Sequence, residues 1–169
     1  MKRFLILACA FLVGCTLPNT NIEVTGIAPP PTNTSLPSSH AEAQAVLIRF
    51  FDLLDTERYA EADALYAGDY AQLKIFGGDT DDHSTLWAVA CTQAGLQCLS
   101  IRTSTFVTQQ GDTYTFTVEF NNADGSLFVL GPCCGADETE MPPVSQFEYH
   151  VSRGSDGIFR VMDLPPYIP

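Results

Sequence analysis

The chain has 169 residues, with 20 acidic side chains against 8 basic ones and a net charge of -12. A surface of that sign repels phosphate backbones and anionic headgroups, which argues against nucleic-acid binding and against electrostatic docking on a membrane. The length leaves room for one ordinary domain with a single core.

Lys2 and Arg3 make a charged start, and residues 4–13 form an unbroken apolar run of signal-peptide length. That run is too short to cross a bilayer as a helix, which takes about 20 apolar residues. It closes on Leu12-Val13-Gly14-Cys15. This tetrapeptide resembles the lipobox of bacterial lipoproteins. The resemblance implies that residues 1–14 are cut away as a signal peptide and that Cys15 becomes an acylated first residue. The chain would then be lipid-anchored at the cell membrane, on its extracytoplasmic face. The competing reading is an ordinary secreted protein whose leader contains Cys15. Residues 15–39 are rich in Pro, Asn, Thr and Ser, include Pro29-Pro30-Pro31 and carry only Glu23 as a charge, which is the composition of a flexible linker. Residues 40–169 remain as the folded domain.

Ser39 followed by Glu42 fits a capping box, and Ala43, Val46, Leu47, Phe50, Phe51 and Leu54 recur at helical spacing after it. The pattern predicts a long helix with a broad apolar face. A second helix is expected over 57–67, ended by Gly68 in a left-handed conformation. Asp69 is placed to cap a turn or two through Ile75 and Phe76 before Gly77-Gly78 breaks the chain. A third helix is expected from Asp82 or Ser84, turning Leu86, Trp87, Ala90 and Cys91 inward and stopping at Gly95.

Beyond Leu99 the period changes. Ile101, Thr103, Thr105 and Val107 alternate with Arg102, Ser104 and Thr108, and Tyr114, Phe116, Val118 and Phe120 alternate with Thr113, Thr115, Thr117 and Glu119. Gln110-Gly111-Asp112 reads as the hairpin turn between these strands. Three more strands are expected at 127–130, 147–152 and 158–162. The proline-rich tail from Leu164 cannot be a central strand.

The reading is therefore an α+β domain, with three N-terminal helices packed on a bent antiparallel sheet of about five strands. The element order, with Phe50-Phe51-Asp52-Leu53-Leu54 in the first helix and Tyr59-Ala60-Glu61-Ala62-Asp63-Ala64-Leu65-Tyr66 in the second, resembles the nuclear transport factor 2-like (cystatin-like cone) superfamily. The resemblance implies a pocket inside the cone. It also implies a homodimer through the outer face of the sheet as one assembly to expect.

Four cysteines stay in the domain: Cys91, Cys98, Cys133 and Cys134. In an exported chain an even number points to disulfides. A bond between the neighbours Cys133 and Cys134 would strain the peptide joining them, so each is expected to pair with one of Cys91 and Cys98. A four-thiolate zinc site or a redox-active vicinal pair is the rival, and the spacing is poor for zinc.

Candidates for chemistry are few. Asp79, Asp81, Asp82 and His83 lie within five positions and could hold a hard cation, but helix capping explains acids there more simply. His150 falls on the strand face opposite Phe147 and Tyr149 and is expected to be solvated. His40 reads as a surface residue. Tyr66, Tyr70, Trp87, His83 and Asp82 are the candidate pocket residues. No catalytic residue, metal or cofactor is assigned. The leading expectation is a non-catalytic domain that binds a small ligand or an envelope protein. Its alternatives are an isomerase or dehydratase with its site in the cone, and a purely structural interaction module.

Overall fold

A computed structural model describes residues 39–168, and the lipobox, Cys15 and all but the end of the linker lie outside them. The first helix, α1 (Ser39–Asp55), buries Ala43, Leu47, Phe50, Phe51, Leu53 and Leu54. Those residues cover more than one stripe, because α1 is packed on two sides. The Phe51 ring meets Phe120 at 4.8 Å and Tyr149 at 5.0 Å on the sheet, while neighbouring Phe50 meets Tyr66 at 6.0 Å and Trp87 at 5.6 Å on its other side. Successive helix positions are turned by about 100°, which lets adjacent phenylalanines serve two layers.

Three shorter helices follow: α2 (Tyr59–Asp63), α3 (Tyr70–Gly77) and α4 (His83–Thr92). The expected three helices are thus four, since the turn capped by Asp69 grows into α3, with the Asp69 carboxylate accepting from the Ala71 amide at 2.8 Å. The second helix is shorter than its apolar pattern suggests. After Asp63 the chain leaves the helix to pair with the sheet: the Val161 amide donates to the Leu65 carbonyl at 2.8 Å and the Ala67 amide to the Val161 carbonyl at 2.9 Å. Gly68 does not end a helix in a left-handed conformation. A side chain there would run into the Met162 carbonyl and the Tyr66 ring, so the residue is small to let these segments meet.

Four antiparallel strands make the sheet in the order β1 (Ile101–Gln110), β2 (Thr113–Phe120), β3 (Phe147–Arg153) and β4 (Phe159–Val161). The inner face carries Tyr114, Phe116, Val118, Phe120, Tyr149 and Val151, all buried. Among the described residues the sheet has four strands against the expected five. Residues 127–130 make isolated bridges outside the strands, Asn121 with Leu127 and Leu130 with Val144, and the Phe128 amide donates to the Phe120 carbonyl of β2 at 3.0 Å. Phe128 is buried against Phe147 at 5.8 Å, so the segment plugs the end of the core without a ladder of its own. Register shifts in β1 fall between Ile101 and Thr103 and between Phe106 and Thr108, and such bulges bend and twist a strand. The tail stays off the sheet. It pairs instead with the turn after α4, where the Gln97 amide donates to the Pro166 carbonyl at 2.7 Å and the Ile168 amide to the Gly95 carbonyl at 3.0 Å. Among the described residues no helix is long and apolar enough to cross a membrane.

Candidate functional site

Four of the five candidate pocket residues converge, and a residue that sequence reasoning passed over, Asp63, brings them together. Asp63 is the last residue of α2. Its Oδ1 accepts from the Tyr70 hydroxyl at 2.7 Å and from the Trp87 indole nitrogen at 3.2 Å, and its Oδ2 lies 3.3 Å from Nδ1 of His83. The Tyr70 and His83 rings stack at 4.0 Å, and Tyr66 stands edge-on to Tyr70 at 5.2 Å and to Trp87 at 5.1 Å. Burial, followed by the hydrogen bond to the Asp63 carboxylate, pushes the Tyr70 phenol well above its ordinary range. Burial also raises Tyr66, with the charges of Asp163 and Asp69 adding to it. Tyr66 and Trp87 are buried, whereas the side chains of Asp63 and His83 remain 23% and 39% exposed. The cluster is a core network with one imidazole edge at the surface.

Asp82 is not part of it. It caps α4, accepting from the Ser84 amide at 3.1 Å and the Thr85 hydroxyl at 2.6 Å, and these bonds hold its carboxyl below the usual range, the Thr85 hydroxyl contributing most. Asp81 reaches instead to Lys74 at 2.9 Å. Asp82 and Asp81 thus serve separate tasks, and among the described residues no group of three or more His, Cys, Asp or Glu side chains could hold a metal ion.

His150 lies half-buried on the outer face of the sheet between two carboxylates. Its Nδ1 is 3.1 Å from Asp163 and its Nε2 is 3.5 Å from Glu148. The same Asp163 oxygen accepts from the His150 amide at 2.5 Å. Nothing in the sequence separates Asp163 from any other acid near a chain end, since the pairing depends on β4 folding back beside β3. His40 is exposed and stacks on Phe106 at 5.1 Å.

The cysteines depart from the expected pairing. Cys91 is bonded to Cys98, with their Cα atoms 5.5 Å apart, while Cys133 and Cys134 carry no disulfide and face each other. The turn at Gly95, with φ of +84°, folds the chain back from the end of α4 and brings Cys98 to Cys91. That glycine, set between cysteines seven positions apart, was the sequence signal for a local bridge.

Two clefts open elsewhere on the surface. The larger, about 470 Å³, lies between α3 and the tail and is lined by Ile75, Phe76, Gln93, Ala94, Gly95, Tyr167 and Ile168. Ile75 is 78% exposed there, and the Phe76 and Tyr167 rings approach to 5.0 Å. The smaller, about 210 Å³, runs beside the Cys91–Cys98 bridge and includes Asp55, Glu57 and Tyr59. The candidate pocket residues line neither. The interior between α1 and the sheet is filled by Leu47, Phe51, Phe116 and Phe120. Tyr149, also buried there, gives its hydroxyl to the Leu164 carbonyl at 3.3 Å. No family model matches the chain, and no curated protein matches it either.

Proposed function

We propose that this chain is an envelope lipoprotein, held to the membrane through Cys15, whose nuclear transport factor 2-like domain binds a small apolar ligand without catalysis. The lipobox-like tetrapeptide and the apolar run before it support the anchor. A long first helix, shorter ones after it and an antiparallel sheet that follows all the helices support the fold assignment.

The observation that carries the binding reading is the cleft between α3 and the tail. Its volume lies within the range of small-molecule sites, about 300–1,000 Å³. Ile75, Phe76, Ala94 and Ile168 supply apolar walls, and the Tyr167 phenol and Gln93 amide supply polar contacts. No carboxylate, imidazole or thiol is among the lining residues, and the Tyr167 phenol stands there without an acid-base partner, which favours binding over proton transfer. Titration of the full chain with the neutral fluorophore N-phenylnaphthylamine tests this. The native protein is expected to bind it, and Ile75→Glu, at an exposed position outside the core, to weaken binding at least tenfold. Equal binding by the two proteins would refute the assignment. Cys15→Ser is expected to release the chain from the membrane fraction.

An isomerase or dehydratase is the second reading, favoured by the carboxylate, imidazole and phenol assembled around Asp63. Such a site needs an adjoining pocket to hold the substrate's carbon skeleton. Neither cleft described above includes Asp63, Tyr70 or His83.

A further inference from the structure

We infer that Cys133 and Cys134 are a redox-active site of their own, closing to a vicinal disulfide in oxidising surroundings and reopening independently of Cys91–Cys98. Their Sγ atoms stand 2.8 Å apart. That is well inside the contact distance of two unbonded sulfurs and within reach of the bonded separation of about 2.05 Å. In an extended chain, adjacent side chains point to opposite faces. These two share one side because residues 133–136 form a tight turn, with the Ala136 amide donating to the Cys133 carbonyl at 3.0 Å and with Cys134 and Gly135 at φ of +62° and +91°. A non-glycine residue at positive φ is uncommon, and here it aims one sulfur at the other.

The site is also reachable. Cys134 is exposed and Cys133 half-buried, and Gly131 and Gly135 beside them are exposed. Cys91 and Cys98 belong instead to the partly buried layer packed on the core. Strained and exposed disulfides are the labile ones, and Cys134 is exposed where the other three cysteines are half-buried.

The oxidant is a disulfide donor. The thiolate of the exposed Cys134 attacks one donor sulfur, forming a mixed disulfide and expelling one donor thiolate. The thiolate of Cys133 then attacks Sγ of Cys134, forming the intramolecular bond and expelling the second donor thiolate. The protein gives up two protons and two electrons, and the donor disulfide is reduced to two thiols.

Trypsin separates the two pairs, because Lys74, Arg102 and Arg153 bound one peptide, 75–102, with Cys91 and Cys98 and another, 103–153, with Cys133 and Cys134. The full chain is incubated with oxidised glutathione, alkylated under denaturing conditions without reductant, digested and weighed. Peptide 103–153 is expected unlinked, unalkylated and lighter than the dithiol by two hydrogens. Graded reduction should open it at a reductant concentration at least tenfold below that which opens 75–102. Cys133→Ser should trap glutathione on Cys134, where the native protein holds none. The inference fails if both thiols of 103–153 are alkylated after the incubation, if that peptide is linked to 75–102 or to a second copy, or if both bridges open together.

Discussion

The indole nitrogen of Trp87 donates to Oδ1 of Asp63 at 3.2 Å, although the Trp87 ring itself is sealed between Phe50 and Tyr66. The tryptophan can fill the junction of α1, α2 and α4 because α2 ends at that carboxylate. The largest apolar side chain of the helical layer is thus tied to a polar anchor at its edge.

Removing the anchor strands two donors. Asp63→Ala leaves the Trp87 N–H and the Tyr70 O–H without their shared acceptor. An unsatisfied buried donor costs about 1–3 kcal/mol, and since Tyr70 is only half-buried the expected loss lies in the lower part of the range of about 2–6 kcal/mol for two. Asp63→Asn keeps an oxygen in place and should cost about 1 kcal/mol. Urea unfolding of both variants measures the difference. Equal losses would mean that the carboxylate oxygen does not hold these donors.

Stability should fall at alkaline pH once the phenols of the unfolded chain begin to ionise. Burial raises the phenols of Tyr66, Tyr70 and Tyr149 above the ordinary value of 10.0, with the Asp63 hydrogen bond adding at Tyr70 and the Asp163 charge at Tyr66 and Tyr149. Below that value the phenols are neutral in both states and the stabilisation is complete. Above it the unfolded chain gives up protons that the folded chain retains, so stability drops with rising pH toward the folded values. Phenolate absorbance should therefore appear in two stages, the second coincident with unfolding. Tyr70→Phe should make the decline in stability shallower, and an unchanged slope would contradict this account.

Much of the scaffold is legible in the sequence, for identifiable reasons. α1 carries six buried residues on a broad helical face, and the β2 sequence alternates polar with apolar residues although Thr115 is buried too, so each is set by its own period. The failures occur where distant partners override local pattern. Leu65 and Tyr66 continue a helical apolar set, yet pairing with Val161 draws them out of α2. Residues 127–130 are as hydrophobic as a strand, but Phe128 is recruited as a plug over Phe147. In the candidate site the aromatic members could be named from sequence, whereas Asp63 could not. An acid at the end of an amphipathic helix is usually solvated, and only tertiary packing puts a core indole beside it.

The junction of α3 and α4 depends on a missing methyl group. A Cβ added at Gly77 would stand 2.5 Å from the Leu86 carbonyl oxygen and 2.7 Å from its Cα. Alanine gains about 1 kcal/mol of helix propensity over glycine. Forcing the backbones apart costs about 1–3 kcal/mol, and both contacts are backbone atoms with no rotamer to yield. The net expectation for Gly77→Ala is destabilisation, and a raised thermal midpoint would show that the helices part more readily than this.

Opening the Cys91–Cys98 bridge should loosen more than the turn it closes. A loop this short gains about 2–3 kcal/mol from its cross-link in the chain-entropy picture, so Cys91→Ala with Cys98→Ala should lose that amount. The bridge also holds the end of α4 to the segment that receives the tail, through Gln97 to Pro166 and Gly95 to Ile168. The amides of Gln97 and Ile168 donate the bonds that close one wall of the larger cleft. Hydrogen exchange in the double variant should accelerate at those two amides while β2, paired on both sides, stays protected. N-phenylnaphthylamine binding should weaken in step with that exchange, because Tyr167 and Ile168 line the cleft only while the tail is docked. Unchanged protection at Gln97 and Ile168 would mean that the tail holds its place without the disulfide.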